Sequence, residues 1–266
     1  MRLFVAGLRK LVRRPASYVS VGLLAGLLSL ILIAVGATAK QTAERPNGAA
    51  ALLLVTFPQA YTLILSFILG LGGLIAVIYG AAVAGSEWNW GTLKAAVARG
   101  ESRSRYALLT FASVALLIGV GLVLAFLVGT LMAVVGASLA GISTSGLSNS
   151  DALGRLPDQF GRSWIAVVEE GALGFTVATL ARSQLAGIGA GIALYFGEQF
   201  ASIFLPDIVK YLPFNAATAV VENAGTGGGG IIQRLEPGLA LWVVLAWLFG
   251  SLFVAALFTE RADISG

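Results

Sequence analysis

Residues 106–136 read YALLTFASVALLIGVGLVLAFLVGTLMAVVG, 31 consecutive positions without a charged side chain. Crossing the ~30 Å hydrocarbon layer takes about 20 helical residues, so the stretch is predicted to span a membrane, with length left over for tilt or extension. Further apolar runs lie at about 18–38, 58–84, 164–182, 185–205 and 237–258. Together they predict an all-α integral membrane protein with six transmembrane helices in a single transmembrane domain, 1–266. The run 18–38 is longer than the roughly 7–15-residue apolar core of a signal peptide and is read as a retained first span.

The whole composition agrees. The chain is 58% hydrophobic and 11% charged, with a mean hydropathy of +0.89, whereas soluble domains carry roughly a quarter charged residues. So few charges cannot cover a water-facing surface, and the apolar surplus must face lipid. Cysteine and histidine are both absent. That removes disulfides, thiol nucleophiles, the usual zinc and haem ligands, and imidazole catalysis. The chain is therefore expected to be non-catalytic, with no metal or cofactor of its own.

The net charge of +4 does not point to nucleic acid, because the basic residues sit beside apolar spans. Of the 17 Lys and Arg, eleven fall on the side of the N-terminus and six on the other. The positive-inside rule then predicts that both termini are cytoplasmic. Within 1–15, Phe4, Val5, Leu8, Leu11 and Val12 recur at helical spacing opposite Arg2, Arg9, Lys10, Arg13 and Arg14. This pattern predicts an amphipathic helix on the inner membrane surface, its cations near anionic lipid, turned into the bilayer at Pro15.

Residues 206–236 are too apolar for a solvated loop and too broken to span twice, so they are read as a re-entrant outer segment before the last span. The glycine run 227–230 is read as a flexible connector. Three carboxylates fall inside predicted spans. Glu169 and Glu170 follow Trp164 by five and six residues, which puts them roughly 8–9 Å into the outer leaflet. Glu198 precedes Pro206 by eight residues in the next, antiparallel span. Such groups must face a cavity or a polar partner. They line a translocation path, or they cap the exposed backbone N–H groups of the re-entrant helices. Gly22-x-x-x-Gly26 and Gly187-x-x-x-Gly191 have the small-xxx-small spacing that brings helix backbones together, within the chain or at a dimer seam.

The longest inner connection, 86–105, reads SEWNWGTLKAAVARGESRSR. Gly91 and Thr92 can begin a short helix that Gly100 ends. Here the sequence resembles the permease subunits of ABC-2 type exporters in the ATP-binding-cassette superfamily. The resemblance rests on Glu87 ahead of Gly91-Thr92-Leu93-Lys94, and on Arg99-Gly100-x-Ser102-Arg103 just before the third span. Thr110 stands where that family often has Lys. The resemblance implies that this loop is the coupling helix seated on a separate ATPase, with Glu87, Gly91, Thr92, Lys94, Arg99 and Arg103 as coupling residues. Glu87 is expected to meet a basic group of the ATPase or the chain's own Arg103. Leu180-Ala181-Arg182-Ser183-Gln184 resembles the family's tight inner turn.

The chain has no G-x-x-x-x-G-K-[ST]. ATP and Mg are therefore expected on a partner ATP-binding-cassette ATPase. The resemblance further implies a second permease subunit meeting the chain around spans one and five, in the cytoplasmic membrane of a prokaryote, and outward movement of an amphiphilic lipid-linked molecule, peptide or drug. A proton-coupled secondary transporter using the intramembrane glutamates, and a non-transporting membrane scaffold, are the other functional classes the composition permits. The topology has a direct test. Single cysteines at Asn47, Ser148 and Gly228, introduced into this cysteine-free chain, should all react in intact cells with an impermeant thiol reagent; protection of any one rejects the six-span map.

Overall fold

The computed structural model describes residues 2–44, 48–89, 91–221 and 235–262. Trp90 of the inner loop and the glycine connector 227–230 lie outside the described residues. The helices are α1 (Arg2–Val12), α2 (Pro15–Ala37), α3 (Gln59–Asn89), α4 (Thr92–Val97), α5 (Arg103–Ala140), α6 (Ser150–Ala181), α7 (Gln184–Ala201), α8 (Pro206–Val209), α9 (Pro213–Thr218) and α10 (Pro237–Arg261). Short helical turns at Ala39–Ala43, Gly48–Leu52 and Leu53–Val55 lead from α2 towards α3. Among the described residues there is no strand.

Local chemistry sets several boundaries. Pro15 opens α2 at a position where its missing N–H costs nothing. The Asn149 side chain accepts from the Ala152 N–H at 2.9 Å and caps α6. Gly141, at φ +70°, ends α5.

Helices α2, α3, α5, α6 and α10 are long and apolar enough to cross a bilayer. This is an all-α, multi-pass membrane protein. The sixth predicted run, 185–205, forms α7, which has only 18 residues, about 27 Å at 1.5 Å per residue. Its last turns carry Glu198 and Gln199, and the chain turns at 202–205 into Pro206, so the apolar stretch is cut short.

The apolar stretch of α6 is 72% buried, against 22% for α2 and α10, so α6 forms the centre of the bundle. Helix α3 crosses α6, α7 packs on both, α10 lies on α5 and α6, and α2 and α1 lie on α5. Helix α8 buries Val209, and α9 with the turn after it buries Phe214, Ala216, Ala217 and Val220. The Trp247 indole N–H of α10 donates to the Tyr211 carbonyl at 3.0 Å and holds this segment in place.

Between lipid-exposed helices there is little hydrophobic gain, so close contact depends on small residues. The four glycines in the two small-xxx-small patterns divide. A Cβ on Gly187 would strike Ala178 of α6, and one on Gly191 would strike Val77 of α3, so both seat α7 inside the chain. Gly22 and Gly26 face open space on α2. Of the four, these two remain available to a dimer seam.

Where α2 crosses α5, an added Cβ at Gly136 would lie 2.6 Å from the Leu32 carbonyl oxygen. Gly136→Val should cost about 1–3 kcal/mol through overpacking and lower the melting temperature of the purified protein in detergent. Gly26→Val should leave the melting temperature of the single chain unchanged.

Candidate functional site

The basic end of the bundle converges on one carboxylate. Glu87 occupies the last turn of α3, where its side chain is 8% exposed. Lys10 of α1 donates to both its oxygens, at 2.6 and 2.9 Å. Arg14, at the α1–α2 junction, donates to Oε1 at 3.2 Å and to the Ser86 hydroxyl at 2.8 Å. The Tyr106 hydroxyl of α5 donates to Oε2 at 2.6 Å, and the Thr92 hydroxyl of α4 donates to the same oxygen. One buried anion thus ties α1, α3, α4 and α5 together. Charge-assisted hydrogen bonds of this kind are about twice as strong as neutral ones.

Two expectations are corrected. Glu87 does not meet Arg103, whose guanidinium donates to the Ala262 carbonyl at 2.6 Å. With Ser104 N–H donating to the Glu260 carboxylate at 3.1 Å, this closes the start of α5 onto the end of α10. Nor do all the α1 cations turn away from the protein. Arg9 and Arg13 are exposed, while Lys10 and Arg14 point inward because Glu87 needs counter-charge in a buried place.

Of the other coupling-loop residues, Lys94 and Arg99 are exposed on or just after α4. Gly91 takes φ +64° to turn the chain from α3 into α4, a conformation that costs an L side chain about 1–2 kcal/mol. Arg182, in the turn between α6 and α7, has its guanidinium 5.2 Å from the Trp88 ring centroid and 5.5 Å from that of Phe258. This cation–π stack ties the second turn at this end to α3 and α10.

The three buried carboxyls gather elsewhere in the bundle, close enough to interact electrostatically. Glu198 accepts from the Asn215 backbone N–H and side-chain amide, both at 3.1 Å. It caps the first turn of α9. Glu169 and Glu170 are 0% and 1% exposed, and no hydrogen bond from the described residues reaches their carboxyl oxygens. The Glu170 carboxyl lies against Gly73, where any Cβ would displace it. Gly73 directly follows a π-helical turn, Ile68–Gly72, an irregularity that recurs at functional sites.

The chain matches no protein-family model and no curated protein. Lys10, Arg14, Tyr106, Asn215 and Gly73 escaped the sequence reading, since each acts through a partner far along the chain. A signal for the first two was present. Lys10 and Arg14 are four residues apart, the spacing of one helix face, beside a chain in which acidic residues at span ends are few, although α1 ends at Val12 and Arg14 lies in the junction.

Removing one partner of a buried ion pair costs about 3–5 kcal/mol. Glu87→Ala should therefore lower thermal stability by that order and loosen α1. A single cysteine at Leu11, buried in the native chain, should be protected from thiol reagents in the parent and reactive in the Glu87→Ala background. Arg99→Ala should change neither.

Proposed function

We propose that this chain is the permease subunit of an ABC exporter, working as a dimer with two copies of a separate ATPase. The observation that carries this reading is the suspension of α4. It is a six-residue helix hung between two spanning helices, and Glu87, Thr92 and Tyr106 fix it to both. A coupling element must be compact and must transmit displacement, and a helix locked to two spans by a buried anion does so.

In this reading the basic end is cytoplasmic and both termini lie there. Helix α7 is a short sixth span and 206–236 re-enters from the outer side. Lys94 and Arg99 present cations to the ATPase, which holds ATP and Mg. The cargo is an amphiphile, a lipid-linked molecule, peptide or drug, and the complex resides in the cytoplasmic membrane of a prokaryote. Gly22 and Gly26 of α2 contribute to the seam with the second permease.

The pair Glu169 and Glu170, whose carboxyl oxygens no hydrogen bond from the described residues reaches, favours a second reading, a proton-coupled secondary transporter. An ionised carboxylate in the bilayer interior costs several kcal/mol without partners, which is retained where it does work. One reconstitution separates the two. Replacing residues 91–99 by a Gly/Ser linker should abolish ATPase binding and ATP-driven transport while membrane insertion persists. Transport driven by a proton gradient in the absence of any ATPase, and lost in Glu169→Gln or Glu170→Gln, would replace the exporter reading by the second.

A further inference from the structure

We propose that the π-helical turn of α3 is a hinge between two bodies of the bundle, and that the contacts of Glu87 are the latch that holds them closed. Helix α3 runs as a first segment, Gln59–Phe67, the turn Ile68–Gly72 and a second segment, Gly73–Asn89. The two segments keep different company. The first packs on α5 and on the turn Leu53–Val55, the second most closely on α6 and α7. Helices α1 and α2 lie on α5, whereas α10 packs most closely on α6. One body is therefore α1, α2, α5 and the first segment, and the other is the second segment with α6, α7 and α10. Helix α3 has a part in each.

Within each body backbones touch. A Cβ at Gly80 would strike the Gly171 carbonyl oxygen, one at Gly174 the Val77 carbonyl oxygen, and one at Gly85 the backbone of Gln184. In the other body Gly36 and Gly136 bring α2 onto α5 in the same way, and the Tyr61 ring stacks on Phe126 to hold the first segment there. Between the bodies contact is sparser. Space is left there too: cavities of about 470 and 350 Å³ each have walls from both.

The change of body falls on adjacent glycines. Gly72 meets Leu24 of α2, Gly73 meets the Glu170 carboxyl of α6, and Gly70 faces open space. A π-helical turn breaks the regular backbone ladder and is a known cause of bends, and glycine lets the backbone change with no Cβ in the way. A hinge needs only a few such residues.

Hydrogen bonds between the bodies gather towards the basic end. Lys10, Arg14 and Tyr106 reach Glu87 across the boundary. Ser17 meets the Tyr79 hydroxyl at 2.9 Å, Arg103 donates to the Ala262 carbonyl at 2.6 Å, and the Trp164 indole N–H donates to the Ala115 carbonyl at 2.9 Å. Apolar helix faces gain little from one another in lipid. The polar contacts, with Glu87 at their centre, therefore decide whether the bodies stay closed.

The test is pulsed electron paramagnetic resonance on the full chain in lipid nanodiscs, with nitroxides on pairs of cysteines at exposed positions. Tyr18 and Leu185 report between the bodies, Tyr18 and Leu131 within the first, and Leu185 and Trp242 within the second. All three distances should be narrowly distributed in the parent. Glu87→Ala should shift and broaden the distance between the bodies and leave the other two unchanged. Glu87→Gln, which keeps the side-chain volume and loses the ion pairs, should act in the same direction less strongly and is read if Glu87→Ala does not fold. Adding Gly70→Ala, whose methyl group meets nothing, stiffens the turn and should return the distance towards the parent's. An unchanged distance between the bodies in both Glu87 variants, an equal shift in the pairs within them, or no reversal by Gly70→Ala overturns the proposal. Neither ATP nor a proton gradient enters the measurement, so failure of a functional reading leaves its outcome unchanged.

Discussion

The carboxylate of Glu87 is buried at the end of a spanning helix, and a charge in that position must be met on every side or it destabilises the fold. Two cations and two hydroxyls meet it, drawn from α1, the α1–α2 junction, α4 and α5. The geometry of the basic end follows from this demand. Helix α1 is held on the flank of α5 because Lys10 must reach inward, with Leu11 buried beside it and the Ser113 hydroxyl 3.3 Å from the Phe4 carbonyl. Helix α4 cannot swing freely, since Thr92 is bound to the same anion as Tyr106. Arg103 and Arg182 extend the arrangement to α10 and to the α6–α7 turn. The junction of α1 with α2, the short helix α4, the start of α5 and the α6–α7 turn are thus each fastened to another element.

The interior carboxyls show the contrasting case. Glu198 is satisfied because α9 brings its first-turn N–H groups to it, and a helix start buried without such an acceptor would itself be costly. Glu169 and Glu170, one turn of backbone from the glycine-lined crossing of α3 and α6, have no such complement among the described residues. The crossing brings backbones close, which leaves room for a carboxyl against Gly73 but supplies no side chain to bond it. The same small residues that permit close packing thus leave these acids uncompensated.

Much of the architecture was legible in the sequence. Length and hydropathy identify the runs that become α2, α3, α5, α6 and α10, because crossing lipid is a demand on each segment separately. The same argument overextended α7: an apolar count does not register that Glu198 and Gln199 end the apolar stretch, Glu198 to serve α9. The periodicity of 1–15 revealed an amphipathic helix but not which cations face inward, since that depends on a carboxylate 77 positions away. The glycine spacing of α7 was visible, yet the faces of Gly187 and Gly191 depend on how α3 and α6 cross. In each case the unread part is a pairing between distant segments, for which a single sequence holds no local signal.

The start of α2 is tied to both α1 and α3. Ser17 gives its proton to the Leu11 carbonyl at 2.7 Å, so at 2.9 Å it accepts from the Tyr79 hydroxyl. One side chain therefore links the last turn of α1 to α3. Three residues earlier, Arg14 holds Ser86 and Glu87. Arg14 and Ser17 thus hold the start of α2 to α3 on either side of Pro15. The carboxylate that accepts from Arg14 also accepts from Thr92, so the α1–α2 junction and α4 share one partner.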